Sequence, residues 1–280
     1  MKSGLFLRIL ASLAVLLFQS RFLAGQIKPE GHTVRLNGME MYYETCGAGE
    51  PLVLLHGFTG SGRSWAPFVD SLGAHYRLII PDMRGHGGST NPAGVFTHRQ
   101  SALDIYALLD SLGIDKFRGI GSSSGGMTLL HMATQQPKRA EALVLIGATI
   151  YFPEQARVIM RGRNPDSIPA ERIESMRKTH IHGDSQIRTL LRNFYDFRNS
   201  YEDMNFTGPL LSTIQARTLI VHGDRDEFVP VEIPLQMYES IPRSYLWIVP
   251  NGGHGPVGGD MRPVFTRTAL DFLEGRWEKK

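Results

Sequence analysis

Gly121-Ser122-Ser123-Ser124-Gly125-Gly126 ends the short apolar run Phe117–Gly121 and opens a segment of helical period running on through Leu129 and Leu130. Of the three consecutive serines, only Ser123 has glycine both two residues before it and two residues after it. This G-x-S-x-G spacing suits a sharp turn from strand to helix, where neighbouring side chains would clash and one serine hydroxyl is thrust outward. A serine hydroxyl is a weak nucleophile at neutral pH, so it needs a base beside it.

Outward from this turn the chain alternates strands and helices. His32–Leu36 and Met39–Thr45 flank Asn37-Gly38, a two-residue hairpin signal. Pro51–His56 is continuously apolar, as a parallel strand buried on both faces should be. Similar runs recur at Tyr76–Pro81, Phe117–Gly121, Ala142–Ile146, Arg217–His222 and Ser244–Val249. Helical period appears between them, as in Arg99–Leu112 with Ala102, Ile105, Leu108, Leu109 and Leu112 on one face. The pattern predicts an α/β domain: a mostly parallel eight-stranded sheet with helices on both faces. The interval 151–212 breaks the rhythm, with no strand-like run and with Pro153, Pro165, Pro169 and Pro209 as breaks. It is expected to be a helical lid, with 26–150 and 213–280 forming the core.

His254 lies in Pro250-Asn251-Gly252-Gly253-His254-Gly255, a flexible loop after the last strand. That loop would bring an imidazole to the carboxyl end of the sheet, where Ser123 also emerges. The strand Arg217–His222 leads into Gly223-Asp224-Arg225-Asp226-Glu227-Phe228-Val229-Pro230, which offers a carboxylate to orient the base. Taken with His56-Gly57-Phe58 after a buried strand, these motifs resemble the α/β-hydrolase superfamily over roughly residues 30–275.

The resemblance implies a Ser123, Asp226, His254 triad in the family's chain order, with Asp226, the second aspartate of the G-D-x-D turn, as the acid and Asp224 as a turn-capping residue. It implies an oxyanion hole made by the backbone N–H groups of Phe58 and Ser124. It also implies structural roles for His56, Asp82 and Arg84. Relatives of this architecture include carboxylesterases, enol-lactonases, carbon–carbon bond hydrolases, prolyl aminopeptidases and cofactor-free haloperoxidases that act as perhydrolases. Non-catalytic ligand receptors also use the fold. Epoxide hydrolases and haloalkane dehalogenases need aspartate at the position of Ser123, and the GSSSG turn departs from the GGSWG usual in prolyl aminopeptidases. The substrate amine of those peptidases also needs acidic lid residues, for which Glu171, Glu174, Glu202 and Asp203 are candidates that form no clear pattern. The expected chemistry is cleavage of a small carboxylic ester or lactone through an acyl-enzyme, with no metal and no cofactor.

Within 151–212, Met160, Met176, Phe194, Tyr195, Phe197 and Met204 fit either an apolar substrate pocket or ordinary lid core. Arg157, Arg161 and Arg163 fit a solvated helix face better than a carboxylate clamp. His180 and His182 are read as solvated polar positions.

Composition sets outer limits. Hydrophobic content of 42% and charged content of 20% in 280 residues suit one globular domain. The net charge of +3 disappears once Lys2, Arg8 and Arg21 are set aside, which argues against a nucleic-acid partner. Cys46 is the only cysteine, so neither an internal disulfide nor a zinc–thiolate cluster can form. The apolar run Ile9–Phe18 follows Lys2 and Arg8, and it is too short for the roughly 20 residues that span a bilayer. Residues 1–25 are therefore expected to be a signal peptide on a secreted or periplasmic protein, the alternative being an uncleaved membrane anchor.

Overall fold

The computed structural model describes residues 27–278, so the leader expected over 1–25 lies outside the described residues. The strands are β1 (Glu30–Leu36), β2 (Met39–Cys46), β3 (Pro51–Leu55), β4 (Arg77–Pro81), β5 (Phe117–Ser122), β6 (Ala140–Ile146), β7 (Arg217–Gly223) and β8 (Ser244–Val249). They form one eight-stranded sheet in the order β1-β2-β4-β3-β5-β6-β7-β8. β2 is antiparallel to both β1 and β4, and every other pairing is parallel. Asn37 and Gly38 turn the first hairpin at φ 45° and 73°, the left-handed pair that a type I′ turn requires.

The helices, in chain order, are α1 (Val69–Gly73), α2 (His98–Ser111), α3 (Ser124–Gln135), α4 (Glu154–Arg161), α5 (Ala170–Arg177), α6 (Gly183–Asp196), α7 (Gly208–Leu211), α8 (Glu232–Ser240) and α9 (Arg262–Leu273). Side chains from α1 and α9 pack on one face of the sheet, and those from α2, α3 and α8 on the other. This double coverage explains the unbroken apolar runs. In β3, Leu52 and Leu54 enter one core while Val53 and Leu55 enter the other. Helix α2 begins where Thr97 Oγ1 accepts the Gln100 N–H at 3.0 Å, a side-chain cap that stops the helix fraying at its start.

Between β6 and β7 the chain makes α4 to α7, and Tyr151, just before α4, meets Asn205, just before α7, in an isolated bridge. Ile173, Met176, Ile187, Leu190 and Leu191 give this insertion a small core of its own. No helix among the described residues is long and apolar enough to cross a membrane. Because β3, β5, β7 and β8 are parallel, the loops after them open at one edge of the sheet. That edge is where ligands bind in such sheets.

Candidate active site

The turn after β5 holds Ser123 at φ 50° and ψ −117°, a conformation that only over-determined surroundings maintain in a residue with a side chain. The surroundings are backbone. A Cβ on Gly121 would sit 2.5 Å from the Gly125 carbonyl carbon, and one on Gly125 would sit 2.2 Å from the Leu55 carbonyl oxygen. The Ser123 N–H is fixed to the Ile146 carbonyl at 2.7 Å.

Around Ser123 the loops from three other strands converge. His254 Nε2 lies 2.9 Å from Ser123 Oγ, and His254 Nδ1 lies 2.8 Å from Asp226 Oδ2. A carboxylate only accepts hydrogen bonds, so Nδ1 carries the proton, and Nε2 of the neutral ring accepts from the serine hydroxyl. Asp226 is buried, and its Oδ1 accepts the N–H groups of Phe228 and Val229 at 2.8 and 3.0 Å. Burial works to raise its pKa, but His254 and these two N–H groups outweigh burial and hold the carboxyl below its usual range.

Asp224 stands apart from this chain. Its Oδ1 is buried without a hydrogen-bond partner among the described residues, so the turn-capping role expected for it is not what its side chain does. Phe58 and Ser124 line the cavity above Ser123. Ser124 opens α3, where first-turn N–H groups have no partner within the helix.

The cavity has a volume of about 280 Å³ and a mostly apolar wall. Met160, Phe194 and Phe197 line it, whereas Met176 lies in the insertion's own core and Met204 in the main core. Tyr195 lies instead under the Arg198 guanidinium, 3.4 Å from its ring centroid.

The arginines divide differently from the expectation. Arg157 is buried, and its guanidinium donates to the Phe152, Arg198 and Ser200 carbonyls at 3.0, 2.5 and 2.8 Å, so it ties α4 to the loop after α6. Arg161 is exposed and pairs with Glu154. Arg163 lines the cavity, and so does Arg172, which the sequence did not single out.

His56 donates from Nδ1 to the Gly57 carbonyl at 2.8 Å and accepts the Met83 N–H on Nε2 at 3.0 Å. Asp82 accepts N–H groups from Gly62 and Gly88, and Arg84 forks onto Asp104 at 2.7 and 2.8 Å. All three hold loops, as expected. His180, read from sequence as solvated, is buried. It accepts the Gly87 N–H at 3.0 Å and faces the Thr59 carbonyl at 3.2 Å, so it fastens the insertion to the loops around the cavity. His182 is exposed, with Nε2 2.9 Å from the Gly88 carbonyl. Among the described residues no group of His, Cys, Asp or Glu is arranged to hold a metal ion.

Burial lowers the pKa of His56, His86, His131, His180 and His222, with His131 brought to about 4. The unfolded chain therefore takes up these protons first. Stability is complete above the ordinary histidine value near 6.5 and falls as pH drops toward 4, with His131 alone accounting for about 3 kcal/mol. Urea unfolding between pH 7 and pH 4 should show this loss, and His131→Gln should flatten the curve.

The chain belongs to the alpha/beta hydrolase fold family, whose model matches residues 50–199. A 2-hydroxy-6-oxononadienedioate/2-hydroxy-6-oxononatrienedioate hydrolase of Pseudomonas putida is 29% identical, over 84% of this chain and 92% of that protein. The mouse (Mus musculus) serine hydrolase BPHL is 28% identical, over 86% of this chain and 85% of its own. The solved structure of a 2-hydroxy-6-oxo-6-phenylhexa-2,4-dienoate hydrolase from Rhodococcus sp. strain RHA1 superposes with a TM-score of 0.74 at 18% identity, covering 89% of this chain and 100% of that one. The chain is a hydrolase, and several of its relatives are named as hydrolases of small 2-hydroxy-6-oxo acids.

Proposed function

We propose that this protein is a serine hydrolase of small carboxylic esters or lactones that carry an acidic group. The observation behind it is the chain of hydrogen bonds from Asp226 through His254 to Ser123 Oγ, which opens on a mostly apolar cavity of about 280 Å³. That volume lies near the lower end of small-molecule sites.

In this reading Ser123 Oγ bonds to the substrate carbonyl carbon as its proton passes to His254 Nε2, and Asp226 stabilises the imidazolium. The Phe58 and Ser124 N–H groups receive the negative oxygen of the tetrahedral intermediate. The intermediate collapses, the carbon–oxygen bond of the leaving group breaks, and His254 returns the proton to that alcohol. Water then enters by the same route and releases the acid. The helical insertion acts as the lid that closes over the acyl group.

The acidic group is supported by Arg163 and Arg172. Neighbouring arginines are neutralised, Arg161 by Glu154, Arg177 by Glu174 and Asp184, and Arg192 by Asp166. Arg163 and Arg172 have no such partner among the described residues, yet both line the cavity, and Arg163 sits 6.0 Å above the Phe194 ring. Both side chains are exposed at the rim of the cavity, and there partial burial and the Arg163 charge work against the Arg172 cation. An anion placed between the two would relieve that. Arg163→Ala or Arg172→Ala should raise KM for a half-ester of a dicarboxylic acid about 10-fold, the lower end of a charge-assisted hydrogen bond because both groups face solvent. Neutral esters should change little.

A second reading is hydrolysis of a carbon–carbon bond beside a ketone. Curated relatives named as hydrolases of 2-hydroxy-6-oxo dienoates favour it, since such a substrate offers a ketone and a carboxylate but no ester. One experiment separates the two: p-nitrophenyl esters of graded acyl length, neutral and acidic, run beside a 2-hydroxy-6-oxo dienoate whose colour is lost on cleavage. Turnover of the acidic esters supports the first reading. Turnover of the dienoate alone replaces it with the second.

A further inference from the structure

Ser124 has a second histidine behind it. His98 Nε2 lies 3.1 Å from Ser124 Oγ, and His98 Nδ1 lies 2.6 Å from Asp203 Oδ2. The three residues are 4%, 0% and 9% exposed in the order Ser124, His98 and Asp203, so water does not compete for these bonds. Asp203 also accepts the backbone N–H groups of His98 and Arg99 at 2.8 and 3.0 Å, at the start of α2. Its own carbonyl accepts from His131 Nε2 at 2.7 Å. Burial pushes the Asp203 carboxyl up, but His98 and the two N–H groups more than reverse this and leave it at about 2. It is therefore an anion that only accepts, so His98 Nδ1 carries a proton, and in the neutral ring Nε2 accepts the Ser124 O–H.

The arrangement repeats the order acid, histidine, serine found at Ser123, one residue along, but with a different outcome. Ser123 projects from a strained turn, whereas Ser124 is the first residue of α3, with its side chain locked. Asp203 belongs to the segment that leads from α6 to α7, within the insertion.

We propose that Asp203 and His98 are positioning residues that act through Ser124. By holding the Ser124 side chain they fix the aim of its backbone N–H at the developing oxyanion, and they make that aim depend on the insertion being docked. The proposal rests on the Ser123 acyl-transfer reading. It explains why an ionised carboxylate from the insertion is buried against the helix that precedes the nucleophile strand, where an apolar contact would have anchored the segment as well. In the sequence Asp203 and His98 are 105 residues apart, and nothing local to either marks the pair.

The test is a double-mutant cycle on the full-length protein with Ser124→Ala, His98→Gln and the double variant. The readouts are ester turnover per site titrated with a fluorophosphonate, the rate of phosphonylation itself, and Tm. Each single change should lower both rates about tenfold, a fraction of the 10²–10³ lost when an oxyanion donor is removed outright, with KM almost unchanged. The double variant should be no slower than the worse single one. A core-packing role for His98 would lower Tm and the titrated fraction but leave the rate per titrated site intact, and that result overturns the proposal. So does an unchanged phosphonylation rate in Ser124→Ala, which depends on no substrate choice. A wild-type protein that fluorophosphonate does not label at Ser123 would instead overturn the acyl-transfer reading, and this inference with it.

Discussion

Asp226→Asn lowers kcat about 10⁴-fold while Tm stays close to that of the wild type, the scale set by the same change in other triads. The reason lies in which atoms of Asp226 are already committed. Oδ1 accepts from the Phe228 and Val229 N–H groups at 2.8 and 3.0 Å, and only an oxygen can do that. An asparagine at this position must therefore keep its oxygen there and turn its NH₂ toward His254 Nδ1. Nδ1 then becomes an acceptor, the ring proton moves to Nε2, and Nε2 can no longer take the Ser123 proton. Asp224→Asn touches none of these bonds and should leave kcat within about twofold, because a change outside the hydrogen-bonded unit is additive and small. Steady-state kinetics on the two variants distinguishes them. Loss of activity at Asp224 rather than Asp226 would reassign the acid.

The second large effect is structural. Gly125→Ala places a methyl group 2.2 Å from the Leu55 carbonyl oxygen and 2.8 Å from that of His56. No side-chain rotation relieves a contact between a Cβ and two backbone oxygens, so the turn or β3 must move. Overpacking against backbone costs about 3 kcal/mol, the upper end of the usual range, which lowers Tm by roughly 6–12 °C in a protein of this size. Activity per folded molecule should fall as well, since the same turn aims Ser123. Gly162→Ala is the control, because its nearest contact would be an ordinary 3.5 Å. Thermal unfolding of the two variants measures the difference.

The features legible in the sequence were those with a local signature. Alternation and apolar runs gave the strands to within a residue or two, since a strand buried on both faces has no polar position to blur it. The glycine frame isolated Ser123 because backbone contacts exclude any side chain at Gly121 and Gly125. His254 could be read from its place after the last strand. Asp226 rather than Asp224 came from resemblance, because two aspartates two residues apart look alike until one is seen to face the histidine.

What escaped was long-range. Arg157, Arg161 and Arg163 looked like one solvated face, yet Arg157 is buried against carbonyls from residues 152–200, acceptors that leave no trace in side-chain identity. Arg172 joins Arg163 at the cavity only because the insertion folds back on itself. His180 looked polar and exposed for the same reason. Asp203 is one acid among several in the insertion, and nothing in the sequence around His98 marks its partner.

The most direct measurement of the central reading is capture of the acyl-enzyme. The enzyme is mixed with an acidic p-nitrophenyl ester, quenched in acid within the first turnover, digested, and its fragments sequenced by mass. The acyl mass should sit on Ser123, with none on Ser122 or Ser124, and Ser123→Ala should show neither the adduct nor turnover. Undiminished turnover in Ser123→Ala, or an adduct on any other residue, would contradict it.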